Sequence, residues 1–317
     1  MPATILATRE ALIAAGARSR ATMLEWREGS AYRAAGAAFA DCGDSPEHAA
    51  DCAERLLADP DWAGALLAPL VRALAADPLF EPALKFHRDA LRVGAVLFDC
   101  PTASIAASVT GAAAMATLPP PATIVFTGRL AVTRTIRAGG ASLRRWIAAP
   151  MHAQFGSTGA GRCTPDDVRP LHDDAVHRTD GRTQAQLIVD AADDVVTLVA
   201  TIRSGAAPLM REYDIATGVL LRVADADDRP SRKGMLLHFL RVAGRADAQD
   251  RFEAETRTDD FHLRWTAMRE WLALDAARAM PRLAEMAAAD PSDEVRRAAV
   301  RMLPVVQGRL ADARCPA

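Results

Sequence analysis

The chain reads as an α+β protein, with N-terminal helices, a central antiparallel β sandwich or barrel, and a helical C-terminal region. Three observations predict this. Apolar residues recur at a period of 3.6 over residues 4–91, at a period of 2 from Val93, and again at 3.6 from Ser231 to about Gln307. Two-residue turn signals, Gly139-Gly140 and Asp180-Gly181, punctuate the middle segment. The stretch from Asp259 to Leu303 repeats itself: a shift of 32 residues lays Arg264 on Arg296, Ala267 on Ala299 and Arg269 on Arg301. Three segments follow: a helical region at 1–91, an antiparallel β domain at 92–226 and a second helical region at 227–317.

In the first segment Ala, Leu, Arg and Glu dominate, as good helix formers do. Asp44 or Ser45 supplies a capping oxygen, with Pro46 and Glu47 in the first turn, so a helix runs from there to about Leu57. Asp59-Pro60-Asp61 opens another, through Ala75.

The β segment reads as strands at 93–99, 104–110, 123–127, 130–137 and 142–148, one near Val176, then 183–190, 195–203, 209–214 and 219–224. Gly139-Gly140 and Asp180-Gly181 are expected to close hairpins, and Ala216-Thr217-Gly218 a third turn. Residues 195–203 alternate most clearly: Val196, Leu198, Ala200 and Ile202 face one way, Val195, Thr197, Val199 and Thr201 the other. Both faces are apolar or β-branched, which predicts a strand covered on both sides. The stretch 150–170 is rich in glycine and small residues and reads as a surface loop, with 156–161 as a lid.

Composition excludes several classes. Net charge is −2 and the charges are interspersed, so no basic stripe marks a nucleic-acid partner. No apolar run reaches the length of a membrane span, and Glu10 interrupts the apolar N-terminus, which reads as a helix and not a leader. Five scattered cysteines without a CxxC read as free thiols in a reducing cytoplasm.

The C-terminal segment resembles HEAT repeats of the short bacterial kind. The resemblance is carried by Pro281, Leu283 and Met286, then Asp290-Pro291 and Glu294-Val295-Arg296-Arg297-Ala298-Ala299, over about 259–303. The earlier copy departs from it, with Trp265 where the later one has Arg297 and with no Asp-Pro. Such repeats imply an interaction surface, and Arg264, Arg269, Arg296 and Arg301 recur at its matching positions. The spacing of Phe261, Trp265, Met268 and Leu272 predicts that these four line the buried face of a helix packed against the next. Asp290 is expected to cap the helix that Pro291 begins.

The β segment is similar in outline to the cupin barrel, a family that holds a metal with an HxH and Glu set plus a further His. No HxH occurs here, so the resemblance implies a barrel without that set. His172 and His177, with Asp173 and Asp174 between them, hold metal-ligand types, yet on a strand an i, i+5 pair points to opposite faces. No metal and no cofactor are expected.

Remaining candidates are Arg144-Arg145-Trp146, as an anion site with an aromatic shelf, and the strand end Arg211, Glu212 and Asp214, where the two acids share a face. No phosphate loop and no nucleophile elbow is present. The sequence thus points to a non-catalytic binding or adaptor protein with a protein partner. The alternative is a cupin-like enzyme or accessory subunit that takes a small molecule in the β domain. The lining of the β interior discriminates them: packed and apolar for the first, convergent polar side chains for the second.

Overall fold

A computed structural model of the chain describes residues 8–151, 155, 160–226 and 228–312. The architecture is α+β, as the change of period predicts. Four helices come first: α1 (Arg9–Glu28), α2 (Ser30–Ala40), α3 (Pro46–Ala58) and α4 (Pro60–Ala76). Strands β1 (Lys85–Arg88), β2 (Arg92–Asp99) and β3 (Ala103–Thr110) lead to a short helix, α5 (Ala112–Thr117). Then come β4 (Thr123–Phe126), β5 (Leu130–Arg137), β6 (Ser142–Ile147), β7 (Thr164–Pro170), β8 (Val176–Asp180) and β9 (Gln184–Val189). After β10 (Val195–Ile202), β11 (Leu209–Asp214) and β12 (Leu220–Asp225), the chain continues as α6 (Asp228–Val242), α7 (Gln249–Glu255), α8 (Phe261–Leu274), α9 (Ala276–Ala289) and α10 (Asp293–Asp312).

Contacts group the chain into two units, each discontinuous in sequence. The first comprises 1–121, 129–146 and 165–206; the second comprises 122–128, 147–164 and 207–317.

The first unit is built on a six-stranded antiparallel sheet of order β1-β2-β3-β10-β5-β8. One face carries Ala103, Ile105, Leu130, Val132, Leu198, Ala200 and Ile202, all buried in one core with the N-terminal helices. Each fully buried Leu or Ile there contributes about 1.5–3 kcal/mol. Helix starts are fixed by side-chain caps. Ser45 Oγ accepts from His48 N, and Asp59 Oδ1 accepts from Asp61 N and Trp62 N. Trp26 Nε1 donates to the Leu66 carbonyl at 2.7 Å and Trp62 Nε1 to that of Ala31 at 2.9 Å, which ties α1 and α2 to α4. Arg134 of β5 reaches from the sheet into the end of α3, donating to the carbonyls of Leu57 and Asp59 and to Asp174.

Several expectations need correction. Gly139 and Gly140 both have positive φ, and they form a tight turn, but β5 and β6 are not paired: β6 belongs to a second sheet of order β7-β6-β9. Asp180-Gly181 likewise turns the chain from β8 in the first sheet to β9 in the second. These turns are corners that switch sheets, a use of the same tight geometry in orthogonal packings. Residues 164–170, read as loop, form the edge strand β7, and 85–88, read as helix, form the edge strand β1. The β segment is also not one unit, because β4, β11 and β12 make a separate antiparallel sheet within the second unit. Among the described residues, no helix occurs between Thr123 and Ala224. The expected lid at 156–161 lies, at 156–159, outside the described residues.

In the second unit the sheet β12-β11-β4 and helices α6 to α10 share a core around Leu209, Phe252, Met268, Leu283 and Met286. Helix α8 buries Phe261, Leu263, Arg264, Ala267, Met268 and Trp271, while Trp265 and Leu272 are only half-buried. The inward stripe is therefore rotated by about one residue from the expected one, and an arginine occupies the place expected for Trp265. That arginine is neutralised. Arg264 makes a bidentate pair with Asp290 (3.0 and 2.7 Å), and both side chains are buried. Asp290 consequently does not cap α10. Its carboxylate accepts from Ser292 N at 2.8 Å, and the helix starts one residue later, at Asp293.

Candidate functional site

The face of the six-stranded sheet turned away from the helices is rich in hydroxyl side chains set among small and β-branched apolar ones. The register fixes which residues share it: Thr133 lies opposite His177 on one side and Val199 on the other, Thr135 lies opposite Thr197, and Ala131 opposite Thr179. Ser104 and Ser108 continue it across β3. This β-branched and hydroxyl-rich composition suits strands yet leaves one surface able to hydrogen-bond. Thr133, Thr135, Thr179 and Thr197 are buried on it, and Thr135 Oγ1 has no hydrogen-bond partner among the described residues.

At its β8 end the face gathers its functional groups. Gln186 of β9 lies between His177 and Thr179 of β8. Its amide nitrogen is 3.3 Å from His177 Nε2, and its oxygen accepts from Thr179 Oγ1 at 3.1 Å. The glutamine's orientation follows: with its oxygen taken by the hydroxyl, its NH₂ donates to the imidazole, so His177 Nε2 is the unprotonated nitrogen. Burial, aided by the Arg169 guanidinium nearby, pushes His177 below its ordinary value and keeps it neutral. Beside it on β7, Arg169 pairs with Asp167 at 3.2 Å, and Arg145 of β6 pairs with Asp166 at 2.5 Å and Asp167 at 3.1 Å. With Nε2 engaged by Gln186, the neutral imidazole keeps its Nδ1–H as a donor, which next to fixed guanidinium groups is equipped to hydrogen-bond a polar or anionic small molecule.

The residues expected to matter lie as follows. Trp146 is buried as a core residue, and Arg144 is exposed on the same strand. Arg211 is buried, 5.4 Å from the Phe126 ring centroid and 5.8 Å from that of Tyr213, and donates to Tyr213 Oη and the Ala149 carbonyl. Burial raises the Tyr213 hydroxyl and the Cys163 thiol above their ordinary values. Glu212 pairs with Arg222 on β12, while Asp214 accepts from Thr217 N and Oγ1, each at 2.7 Å, so the two acids stabilise a hairpin instead of facing one another. Arg264 lines an open groove of about 590 Å³ with Arg257, Arg282, Asp290 and Ser292. Its guanidinium is occupied by Asp290 and by the Thr258 and Asp259 carbonyls. Arg296 bonds the Asp290 carbonyl and Asp293, whereas Arg269 and Arg301 are exposed.

His172 is exposed on the turn before β8, while His177 points onto the sheet face. Among the described residues the β strands hold no group of three metal-ligand side chains, so the donor set does not fit the metal that a cupin barrel implies. Sequence reasoning named His177 but missed its setting. The signal lay in alternation: His177 and Thr179 share a parity in β8, as Gln184 and Gln186 do in β9. No helix among the described residues is long and apolar enough to cross a membrane.

No protein-family model and no curated protein matches the chain. Among solved structures it is similar to the capsular polysaccharide assembling protein CapF from Staphylococcus aureus, with 11% identity over 46% of this chain and 35% of that one, at a TM-score of 0.26. The chain thus spans well under half the length of CapF. It is similar to a sugar phosphate isomerase from a cupin superfamily, from Silicibacter pomeroyi (10% identity, 43% of this chain and 78% of that one, TM-score 0.23). It is also similar to the hydroxypropylphosphonic acid epoxidase from S. wedmorenis, at 11% identity over 58% of this chain and 96% of that one, with a TM-score of 0.24. Likenesses at this level carry no argument about activity.

Proposed function

We propose that the first unit binds a small polar or anionic molecule on the sheet face that carries His177, with the His177 Nδ1–H as hydrogen-bond donor, held in that tautomer by Gln186, and Arg169 as the charged orienting group. This is the small-molecule reading of the β segment. The observation that carries it is the convergence of a neutral imidazole, an amide, a hydroxyl and a guanidinium from β7, β8 and β9, beside a buried Thr135 hydroxyl with no partner among the described residues. A packed apolar interior would have favoured the adaptor reading instead.

The test is a thermal-shift screen of small carboxylates, phosphates and sugar phosphates on the full chain. A ligand present at one hundred times its Kd stabilises by about 2.7 kcal/mol, a readily measured shift. At least one class is expected to raise the Tm of the wild type while leaving His177→Ala and Gln186→Ala unmoved. No shift from any class, or equal shifts in the variants, would sink the proposal.

A protein-binding role has one observation of its own. Met235, Leu236, Phe239 and Val242 form an exposed apolar stripe along α6, at helical spacing. Sedimentation of the wild type against Phe239→Asp tests whether that stripe associates. The HEAT-like pattern of α8 to α10 rests on the sequence alone.

A further inference from the structure

We propose that Cys42, His48 and Cys52 form a metal site, on the helical layer of the first unit and apart from the His177 face, that takes a thiophilic divalent ion of the zinc class. The Sγ atoms of the two cysteines and an imidazole nitrogen of His48 all lie within 4.8 Å of one another. A tetrahedral zinc with bonds of about 2.3 Å to sulfur and about 2.0 Å to nitrogen holds such ligands roughly 3.5–3.8 Å apart. Closing the site therefore requires movements on the order of 1 Å, which side-chain rotation can supply.

Local structure explains why three residues spaced C-x5-H-x3-C meet. His48 and Cys52 are one turn apart on α3, with Nε2 and Sγ 4.0 Å apart. Cys42 follows α2, and Gly43, at φ +55°, reverses the chain so that Ser45 can cap α3. The left-handed turn thus folds Cys42 back against the first two turns of the next helix. The two thiols are buried and His48 is exposed, which gives an entering ion a route from solvent past the imidazole. Arg55 donates to Cys52 Sγ at 3.2 Å. Two thiolates and a neutral imidazole compensate the charge of a divalent ion, and three protein ligands leave a fourth position for water. The bound ion would cross-link the end of α2 to α3, the helix that packs against β5 and β8.

The full chain, reduced and free of metal, is titrated with cobalt(II) as a spectroscopic stand-in for zinc. One equivalent is expected to produce a thiolate-to-cobalt charge-transfer band and the strong ligand-field bands of a tetrahedral ion, both abolished by zinc. Cys42→Ser and Cys52→Ser should each lose the charge-transfer intensity contributed by that sulfur. His48→Ala, at an exposed position that leaves folding intact, should keep the band but bind at least about tenfold more weakly. Absence of the band at one equivalent overturns the proposal, as does a band of equal strength and affinity in all three variants. So does a protein in which Cys42 and Cys52 couple only as a disulfide and take up no cobalt when reduced.

Discussion

Replacing Arg264 by Ala is expected to loosen the C-terminal helices far more than an arginine on a helix surface would. Arg264 donates four hydrogen bonds: two to Asp290 and one each to the carbonyls of Thr258 and Asp259. The two carbonyls line an open groove, so water replaces the lost donor there. Asp290 has no such recourse. Its side chain is 0% exposed, and after the substitution its carboxylate keeps, among the described residues, only the amide of Ser292. Breaking a buried pair from one side costs about 3–5 kcal/mol. At 1.4 kcal/mol per decade, that corresponds to amide exchange about two to nearly four decades faster in α8 and α9. Hydrogen exchange read by mass spectrometry is the right assay, because it localises the loss to α8 and α9. Asp290→Asn in the same background should recover part of the loss, since it removes the stranded charge. The double replacement Arg264→Met with Asp290→Leu should lie close to wild type, because a buried pair exchanged for apolar groups is often neutral. Exchange accelerated less than tenfold in Arg264→Ala would refute the reasoning and show that water reaches Asp290.

Trp271→Ala should destabilise by about 3–5 kcal/mol, as loss of a buried large aromatic does, whereas half-buried Trp265→Ala should cost about 1–2 kcal/mol; urea melts of the two variants rank them. Trp271→Phe should be nearly neutral in the same melt, because it removes a buried indole N–H that has no partner among the described residues. Burial holds His177 below its ordinary value, so the unfolded chain takes up the proton first as pH falls. Stability should therefore be independent of His177 above about pH 7, and should fall as pH drops below about 6.5 towards the folded value. His177→Gln should flatten that part of the profile, and an imidazole NMR titration with a midpoint at or above the ordinary value would contradict the assignment.

The alternation of apolar residues is strong enough to reveal the main strands and the change of class at Val93, because those strands bury one face against helices. Edge strands lack that signal. In β7 the sequence Thr-Pro-Asp-Asp-Val-Arg-Pro holds two prolines and three charges, as edges that avoid further pairing do, and nothing in it alternates. In α8 the misplaced stripe has a similar cause. Pattern reading scores arginine as polar and assigns it outward, but Asp290, 26 residues away, makes Arg264 a core residue. The Cys42, His48 and Cys52 cluster was half legible: the i, i+4 pair is a helix-face signal, while Cys42 joins it only through the backbone of Gly43. His177 was visible as a residue, but its partner Gln186 comes from another strand, and no local spacing announces such a meeting.

The pairing of β4 with β11 has a consequence for how the chain comes to be folded at all. Phe126 pairs with Arg211, 85 positions later, and Ile124 with Tyr213. During synthesis β4 must wait for its partner while 129–146 and 165–206, the remaining part of the first unit, are made. Closing a loop of that length costs about 4 kcal/mol of chain entropy, which only the later strand recovers. Ile124 and Phe126, both buried once paired, stay bare in the meantime. No single cut separates the units into two self-sufficient pieces. A fragment ending at residue 206 would keep β4 and lose β11, carrying a short apolar strand with an open edge into solution. Such a fragment is a candidate for aggregation and for chaperone dependence.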